Sequence, residues 1–264
     1  GHRVILVMRG RGLTDKISNS DVHYVTEDKI VEDWEGLPVN KIKPLVDTPE
    51  AKFTAEILQK FLEIAHEKLE QNTLNLEREK NALPKANYLL TRGPGYFKKL
   101  PSFREKWGMS AACIAGAGLY KGLGVLMGMD LTQVPGATGL PDTNVEGKIK
   151  AAKEQVKKYD FVFVHIKPTD IFGENGDWKG KKDFIEKIDK AIDSIENTGA
   201  AICVTADHST PCQLKDHSAD PVPVLIYESG LKGDNLEKFG ERFCKEGFLG
   251  TIEGKDLLKI FFSL

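Results

Sequence analysis

The chain has 264 residues, a mass of 29.3 kDa and 41% hydrophobic residues, so it contains enough apolar side chains for a substantial core. Its 37 Lys and Arg residues are balanced by 39 Asp and Glu residues, and the net charge of -2 argues against a dedicated nucleic-acid-binding protein. The apolar runs have the length of β-strands and fall far short of the ~20 residues that a membrane-spanning helix needs, so we expect no membrane partner.

Apolar runs of strand length alternate with runs of helical periodicity, which predicts an α/β fold with a mostly parallel sheet and helices on both faces. The first clear helix follows Thr48 and Pro49, a capping residue and a proline at the first helical position. A second amphipathic helix begins near Phe184 and ends near the turn-forming residues 197–199. The predicted strands are residues 4–8, 88–91, 111–114, 160–166, 200–205 and 222–227.

Two parts of the chain differ from the rest in amino-acid composition. Residues 10–47 contain many turn-forming residues and weakly patterned segments, which is typical of a smaller lobe. The polar stretch 71–85 contains few apolar residues and is interpreted as a linker. The sequence therefore predicts a smaller lobe with its linker helix in residues 1–85 and a larger α/β domain in residues 86–264.

The four cysteines form no C-x-x-C pair, and a chain of this length does not need disulfides to hold its core. We therefore expect neutral thiols in a reducing cytoplasm. They are Cys113, Cys203, Cys212 and Cys244.

Polar side chains follow the second, fourth and fifth predicted strands. They are Arg92, Asp170 and the adjacent pair Asp207 and His208. Ligands of open parallel sheets bind outside the carboxyl ends of the strands, where the loops converge. The sequence therefore predicts that these charged groups face one crevice.

The most specific local pattern is the pair Asp207-His208, which is followed nine residues later by Asp216-His217. A carboxylate and an imidazole suit Mn²⁺ or Zn²⁺, and the second His can reach the same site after a short turn. Alternatively, each His caps a loop or pairs with the neighbouring Asp. Asp170 favours a metal site, because it otherwise leaves an unpaired charge in a half-buried crevice. A catalytic serine triad is disfavoured, since the chain has no G-x-S-x-G motif.

The glycine-rich segment 116–124 matches neither the dinucleotide-binding pattern nor the P-loop pattern, because its sixth position is Lys121. Two interpretations stay open. The backbone amides at the start of a helix, together with Lys121, could bind an anion, or the glycines could let a helix pack closely on the sheet.

Segments 205–211 and 215–223 resemble the C-terminal metal-binding segment of cofactor-independent phosphoglycerate mutases of the archaeal type, in the alkaline phosphatase superfamily. The resemblance extends through segments 13–16, 114–122, 134–144 and 165–170. It implies an alkaline-phosphatase-like fold and a cytoplasmic enzyme that interconverts 2-phosphoglycerate and 3-phosphoglycerate through a phosphoserine. It also implies two divalent ions, Mn²⁺ or Mg²⁺ with Zn²⁺ or Co²⁺ as alternatives, and no 2,3-bisphosphoglycerate.

The resemblance implies a role for individual residues as well. Asp207 and His208 would ligate one ion, while Asp170 and His217 would ligate the other. Glu174 stands where the family has a histidine. A carboxylate there adds negative charge and favours harder ions, so the site is either retuned or lost.

The substrate contacts implied by the resemblance come from both parts of the chain. Lys121 and Arg92 would bind the phosphate or carboxylate from the larger domain. Arg9, Asp21 and His23 would belong to an inserted lobe that closes over the substrate, of which residues 1–85 would be a part.

The family's first catalytic segment, which carries the nucleophilic serine, has no counterpart in this sequence. We therefore expect an N-terminally truncated chain that lacks mutase activity on its own. Two alternatives remain: another metal-dependent phosphomutase or phosphomonoesterase of the same superfamily, and a non-catalytic remnant that binds a metal or a partner.

Overall fold

The computed structural model describes residues 4–22, 24–26, 29–30, 37–195 and 198–264, with the backbone alone at 24–26 and 29–30. The chain divides into two compact units, Gly1–Lys98 and Lys99–Leu264. The boundary between them lies later in the chain than the predicted one at 85/86, because residues 86–98 belong to the first unit. The Ala86 amide donates to Asn75 Oδ1, and the Thr91 amide donates to Ser20 Oγ. That residues 1–85 form an inserted lobe stays a prediction.

The first unit is organised around one long helix. Strands β1 (Tyr24–Thr26) and β2 (Lys29–Ile30) pair antiparallel and precede helices α1 (Pro49–Glu70) and α2 (Thr73–Lys80). The Thr48 hydroxyl caps α1 by accepting from the Ala51 amide at 3.2 Å, which confirms the predicted helix start. Leu58 and Leu62 of α1 are buried against Ile17 and Ile42.

Two strand predictions for the first unit are wrong. Residues 4–8 form no strand within the described chain, and Val4 and Ile5 are 80% and 92% exposed. Residues 88–91 form no strand, and Thr91 hydrogen-bonds to Ser20 and to the Asp21 amide instead of to a neighbouring strand. The polar stretch interpreted as a linker contains α2, which Asn75 anchors by donating from its buried amide to the carbonyls of Leu69 and Ala86.

The second unit contains a small parallel sheet. Its strands are β3 (Ala111–Ile114), β4 (Asp130–Leu131) and β5 (Phe161–Val164), in the order β4-β3-β5. Strands β6 (Ile202–Val204) and β7 (Leu225–Tyr227) pair antiparallel with each other. The helices are α3 (Phe103–Trp107), α4 (Gly118–Leu126), α5 (Val145–Gln155), α6 (Pro168–Glu174), α7 (Trp178–Ile192), α8 (Glu241–Cys244) and α9 (Leu257–Phe261).

The core of the second unit confirms the mixed α/β prediction. Strand β3 is buried along its whole length. Val145 and Ile149 of α5 pack with Phe184 of α7, and partly buried side chains at the end of β5 complete the cluster. The apolar stripe of the second predicted helix is therefore core packing.

All four cysteines are free, as expected, while the cytoplasmic location stays a prediction. Burial raises the pKa of the Cys113 and Cys203 thiols, which keeps both neutral at pH 7. Among the helices of the described residues, none combines the length and the apolar composition that crossing a bilayer requires.

A buried lysine joins two loops of the second unit. The side chain of Lys148, on α5, is fully buried and donates from Nζ to the carbonyl oxygens of His165, at 3.0 Å, and Thr138, at 3.4 Å. Burial, with a smaller contribution from Lys121, lowers its pKa from 10.5 to about 8.

Lys148 is expected to make the protein more stable as the pH rises from about 8 to about 10.5. In that range the unfolded chain binds the lysine proton while the folded chain has released it, so the cost of burying the charge disappears. The full pKa difference corresponds to an increase of at most about 3 kcal/mol in the free energy of unfolding. Urea denaturation across this pH range, compared with Lys148→Met, measures the effect. Parallel pH curves for the two proteins would contradict it.

Candidate metal centre

Three potential metal ligands lie together in the second unit. Asp170, His208 and His217 each place one ligand atom within 4.8 Å of the others. His217 Nε2 is 3.4 Å from Asp170 Oδ1, and the two imidazole rings have centroids 4.0 Å apart. Asp170 lies on α6, just after β5, whereas both histidines lie between β6 and β7. The charged groups predicted to follow these two strands therefore lie together, while their facing one crevice with Arg92 stays a prediction.

Local structure explains the spacing of the two histidines. Ser209 and Ser218 form an isolated antiparallel bridge, in which the Ser218 amide donates to the Ser209 carbonyl at 3.1 Å. In an antiparallel pair, the residues that precede the two partners lie diagonally across the pair on the same face, so the bridge brings the imidazoles of His208 and His217 within reach of each other. The turn predicted from the repeated Asp-His pair is the cause of their proximity.

The helix that carries Asp170 is positioned by its own sequence. Pro168 is the first residue of α6, where a missing amide hydrogen costs no helical bond, and Asp170 follows in the first turn. Gly173, on the same helix, lies so close to the next loop that an added Cβ would be 2.4 Å from the Thr210 carbonyl oxygen. Glycine therefore allows α6 to approach the histidine-bearing segment.

Two further carboxylates extend the cluster at opposite ends. Glu174, the last residue of α6, has Oε1 at 3.9 Å from His217 Nε2. Asp207 has Oδ2 at 3.8 Å from His208 Nε2. The side chains of both acids are at least half exposed, so solutes can reach them. All five residues predicted as metal ligands thus belong to one continuous group of donor atoms.

The Asp170 carboxylate is ionised in this environment. Its side chain is only 15% exposed, and burial acts to raise its pKa. Hydrogen bonds from Lys167 and from the Thr210 hydroxyl outweigh burial and hold the pKa below its ordinary value. Two imidazoles beside an ionised carboxylate form a donor set that suits a divalent transition-metal ion.

Two residues beside the cluster were not singled out as site residues by sequence reasoning. The Tyr120 hydroxyl donates to Asp207 Oδ2 at 3.2 Å, and its ring stacks on His165 with centroids 3.3 Å apart. Burial, followed by Asp207, raises the pKa of Tyr120 to about 12, and burial lowers the pKa of His165 to about 4. Both are therefore neutral at pH 7. The signal in the sequence that could have identified Tyr120 as a site residue was its position next to Lys121.

The residues predicted to bind substrate are divided between the two units. Lys121 lies on α4, in the unit that carries the metal-ligand cluster. Arg9, Asp21 and Arg92 lie in the first unit, although Arg92 was predicted to follow a strand of the larger domain. His23 lies outside the described residues. Their contacts with a substrate stay predictions.

The clustered donor atoms form a candidate site for a divalent metal ion. A family model described as the Metalloenzyme superfamily matches residues 12–264, so the chain belongs to that superfamily. More particularly, the chain is 43% identical over its full length to two proteins, one from Methanocaldococcus jannaschii and one from Archaeoglobus fulgidus. Each is named 2,3-bisphosphoglycerate-independent phosphoglycerate mutase 1. These relatives confirm the resemblance inferred from the motifs. The chain spans about 63% of the length of each.

Two solved structures are similar as well. A cofactor-independent phosphoglycerate mutase from Thermoplasma acidophilum is 34% identical with a TM-score of 0.62, over 97% of this chain and 61% of that one. A protein from Pyrococcus horikoshii is 41% identical with a TM-score of 0.76, over 81% of this chain and 58% of that one. At these identities the similarity concerns the sequence as well as the fold.

Proposed function

We propose that the full-length protein is a phosphoglycerate mutase that interconverts 2-phosphoglycerate and 3-phosphoglycerate. The observation that carries the proposal is the cluster of Asp170, His208 and His217 with a carboxylate at each end. The relatives named above supply the substrate class. Glycolysis and gluconeogenesis are the corresponding pathways, and the free thiols support a cytoplasmic location.

The five ligands divide into two sets in this proposal. Asp207 and His208 hold one divalent ion, and Asp170, Glu174 and His217 hold the other. Bound ions supply positive charge that stabilises the attacking and leaving oxygens during phosphoryl transfer. The carboxylate-rich donors suit Mn²⁺ or Mg²⁺, with Zn²⁺ and Co²⁺ as alternatives.

The remaining predicted residues bind the substrate rather than the ions. Lys121 and Arg92 contact its phosphate or carboxylate, and Arg9, Asp21 and His23 approach it from the lobe. The phosphoryl group passes through a serine and returns to the other hydroxyl of the retained glycerate, so 2,3-bisphosphoglycerate is not required. We assign no serine of this chain to that role.

The test is a coupled enolase assay on the full-length protein with 3-phosphoglycerate and Mn²⁺, without added 2,3-bisphosphoglycerate. We expect turnover that EDTA abolishes and that Mn²⁺ restores. Hydrolysis of other phosphate esters without mutase activity would favour a phosphomonoesterase of the same superfamily. Failure to bind Mn²⁺, Mg²⁺, Zn²⁺ or Co²⁺ would favour a non-catalytic remnant and contradict the proposal.

Glu174 is expected to influence the choice of metal. Replacing it with His exchanges a hard oxygen donor for an imidazole, so the preference should move from Mg²⁺ and Mn²⁺ towards Zn²⁺ and Co²⁺. We expect a change of about tenfold in the ratio of the Kd values for Zn²⁺ and Mn²⁺, measured by competitive titration. Glu186→His, on the exposed face of α7, is the matched control. An equal ratio in both variants would exclude Glu174 from the ligand set.

A further inference from the structure

Thr210 lies between two members of the ligand cluster. Its side chain is 4% exposed, and its hydroxyl oxygen is 2.8 Å from Asp170 Oδ1 and 3.2 Å from His208 Nδ1. Groups outside the cluster hold it there: Lys181 Nζ donates to the Thr210 carbonyl oxygen at 2.7 Å, and Gly173 packs against the same oxygen. The hydroxyl therefore has a defined position between Asp170 and His208.

The hydrogen bonds of this hydroxyl have one consistent direction. A threonine hydroxyl carries a single hydrogen, and an ionised carboxylate can only accept. The Thr210 hydrogen is therefore directed to Asp170 Oδ1, which is 2.8 Å from the hydroxyl oxygen. The oxygen of the hydroxyl then accepts from His208, so Nδ1 of that ring carries a hydrogen. The Ser209 carbonyl oxygen, 3.4 Å from the same nitrogen, can also only accept.

We propose that Thr210 is a positioning residue, which holds His208 in the tautomer with its hydrogen on Nδ1 and leaves Nε2 to bind a metal ion. The orientation of the His208 ring supports this assignment, because Nε2 is the nitrogen that lies 3.8 Å from Asp207 Oδ2, and Asp207 is the other ligand assigned to the same ion. The inference rests on the metal centre proposed above. Since the hydroxyl contacts one ligand of each set, its removal affects both ions.

The tautomer can be observed directly in the unsubstituted protein. The full-length protein, stripped of metal with EDTA and labelled with ¹⁵N, is studied by NMR in alkaline buffer. We expect the ring nitrogen shifts of a hydrogen on Nδ1, with the signals assigned by their loss in His208→Asn. A hydrogen on Nε2 would overturn the proposal. Because no metal is added, this measurement is independent of whether the mutase proposal is right.

Metal affinity provides the second test. Thr210→Val keeps the shape of the side chain without the hydroxyl, and we expect it to raise the Kd for Mn²⁺ about 10–100-fold at both sites. Thr210→Ser restores a hydroxyl and is expected to bind Mn²⁺ as the unsubstituted protein does. Thr198→Val is the matched control, since the hydroxyl of Thr198 donates to the Ile195 carbonyl instead. Calorimetric titration of the full-length proteins gives the Kd values.

The outcomes separate the two proposals. If the unsubstituted protein binds Mn²⁺ and Thr210→Val binds it equally well, the positioning role is wrong and the metal centre stands. If the unsubstituted protein binds no Mn²⁺, the metal centre is wrong, while the NMR result still decides the tautomer. If Thr210→Val fails to fold, which circular dichroism detects, weaker Mn²⁺ binding by Thr210→Ser or a hydrogen on Nε2 would overturn the proposal.

Discussion

Replacing Asp170 with Asn is expected to lower kcat/KM for 3-phosphoglycerate by a factor of about 10² to 10³ in the full-length protein. The amide keeps the shape of the side chain but removes the negative charge at the centre of the ligand cluster. It also leaves the Lys167 ammonium without its carboxylate partner, so that this charge repels a divalent ion. The coupled enolase assay and a Mn²⁺ titration measure the two consequences, and we expect both to change.

Asp189→Asn provides the matched control for this substitution. Asp189 lies on the exposed face of α7, so the same chemical change there should leave both kcat/KM and Mn²⁺ affinity unaltered. Thermal unfolding of both variants separates loss of metal from loss of structure, because Asp170 is largely buried. Full activity in folded Asp170→Asn would remove Asp170 from the ligand set and with it the proposed second ion site.

Elements defined by local interactions could be predicted from the sequence. Helix α1 starts where Thr48 and Pro49 predict, because a cap and a first-turn proline act within a few residues of the chain. Strand β3 matches its apolar run to the residue. The run at residues 4–8 is also apolar but forms no strand, because a strand needs a hydrogen-bonded neighbour as well, which composition cannot specify.

The ligands of the candidate site were predictable for a similar reason. The Asp-His pairs are separated by a short turn, and Asp170 follows a strand, so local spacing indicated all three members of the cluster. Thr210 was not predictable in its role, because its hydroxyl reaches Asp170 only through the close approach of α6. Gly173, a small residue one turn after a candidate ligand, was the signal in the sequence for that approach.

Which of the two interpretations of the glycine-rich segment applies depends on the position. Gly124 lies against β3, where an added Cβ would be 2.9 Å from the side chain of Cys113, which is the close helix-to-sheet packing anticipated for this segment. Gly118 and Gly122 face open space, so packing does not explain them. At these two positions, anion binding with Lys121 stays a prediction.

Gly116→Ala is expected to lower the free energy of unfolding by about 3 kcal/mol or to prevent folding. An added Cβ would lie 1.9 Å from the Thr138 carbonyl oxygen and 2.2 Å from its carbon, and neither is a side-chain atom that could rotate away. The loop would have to move, and with it the Thr138 carbonyl that Lys148 binds from within the core. Urea denaturation followed by circular dichroism measures the loss.

The neighbouring Gly118→Ala is the matched control, because no atom beyond its chain neighbours and its own helix backbone lies within 4 Å of the position that its Cβ would occupy. Gly118 is the first residue of α4, and alanine favours the helix over glycine by up to about 1 kcal/mol. We therefore expect this variant to be as stable as the unsubstituted protein or slightly more stable. Equal destabilisation by both substitutions would mean that the close contact with Thr138 is not the reason for glycine at position 116.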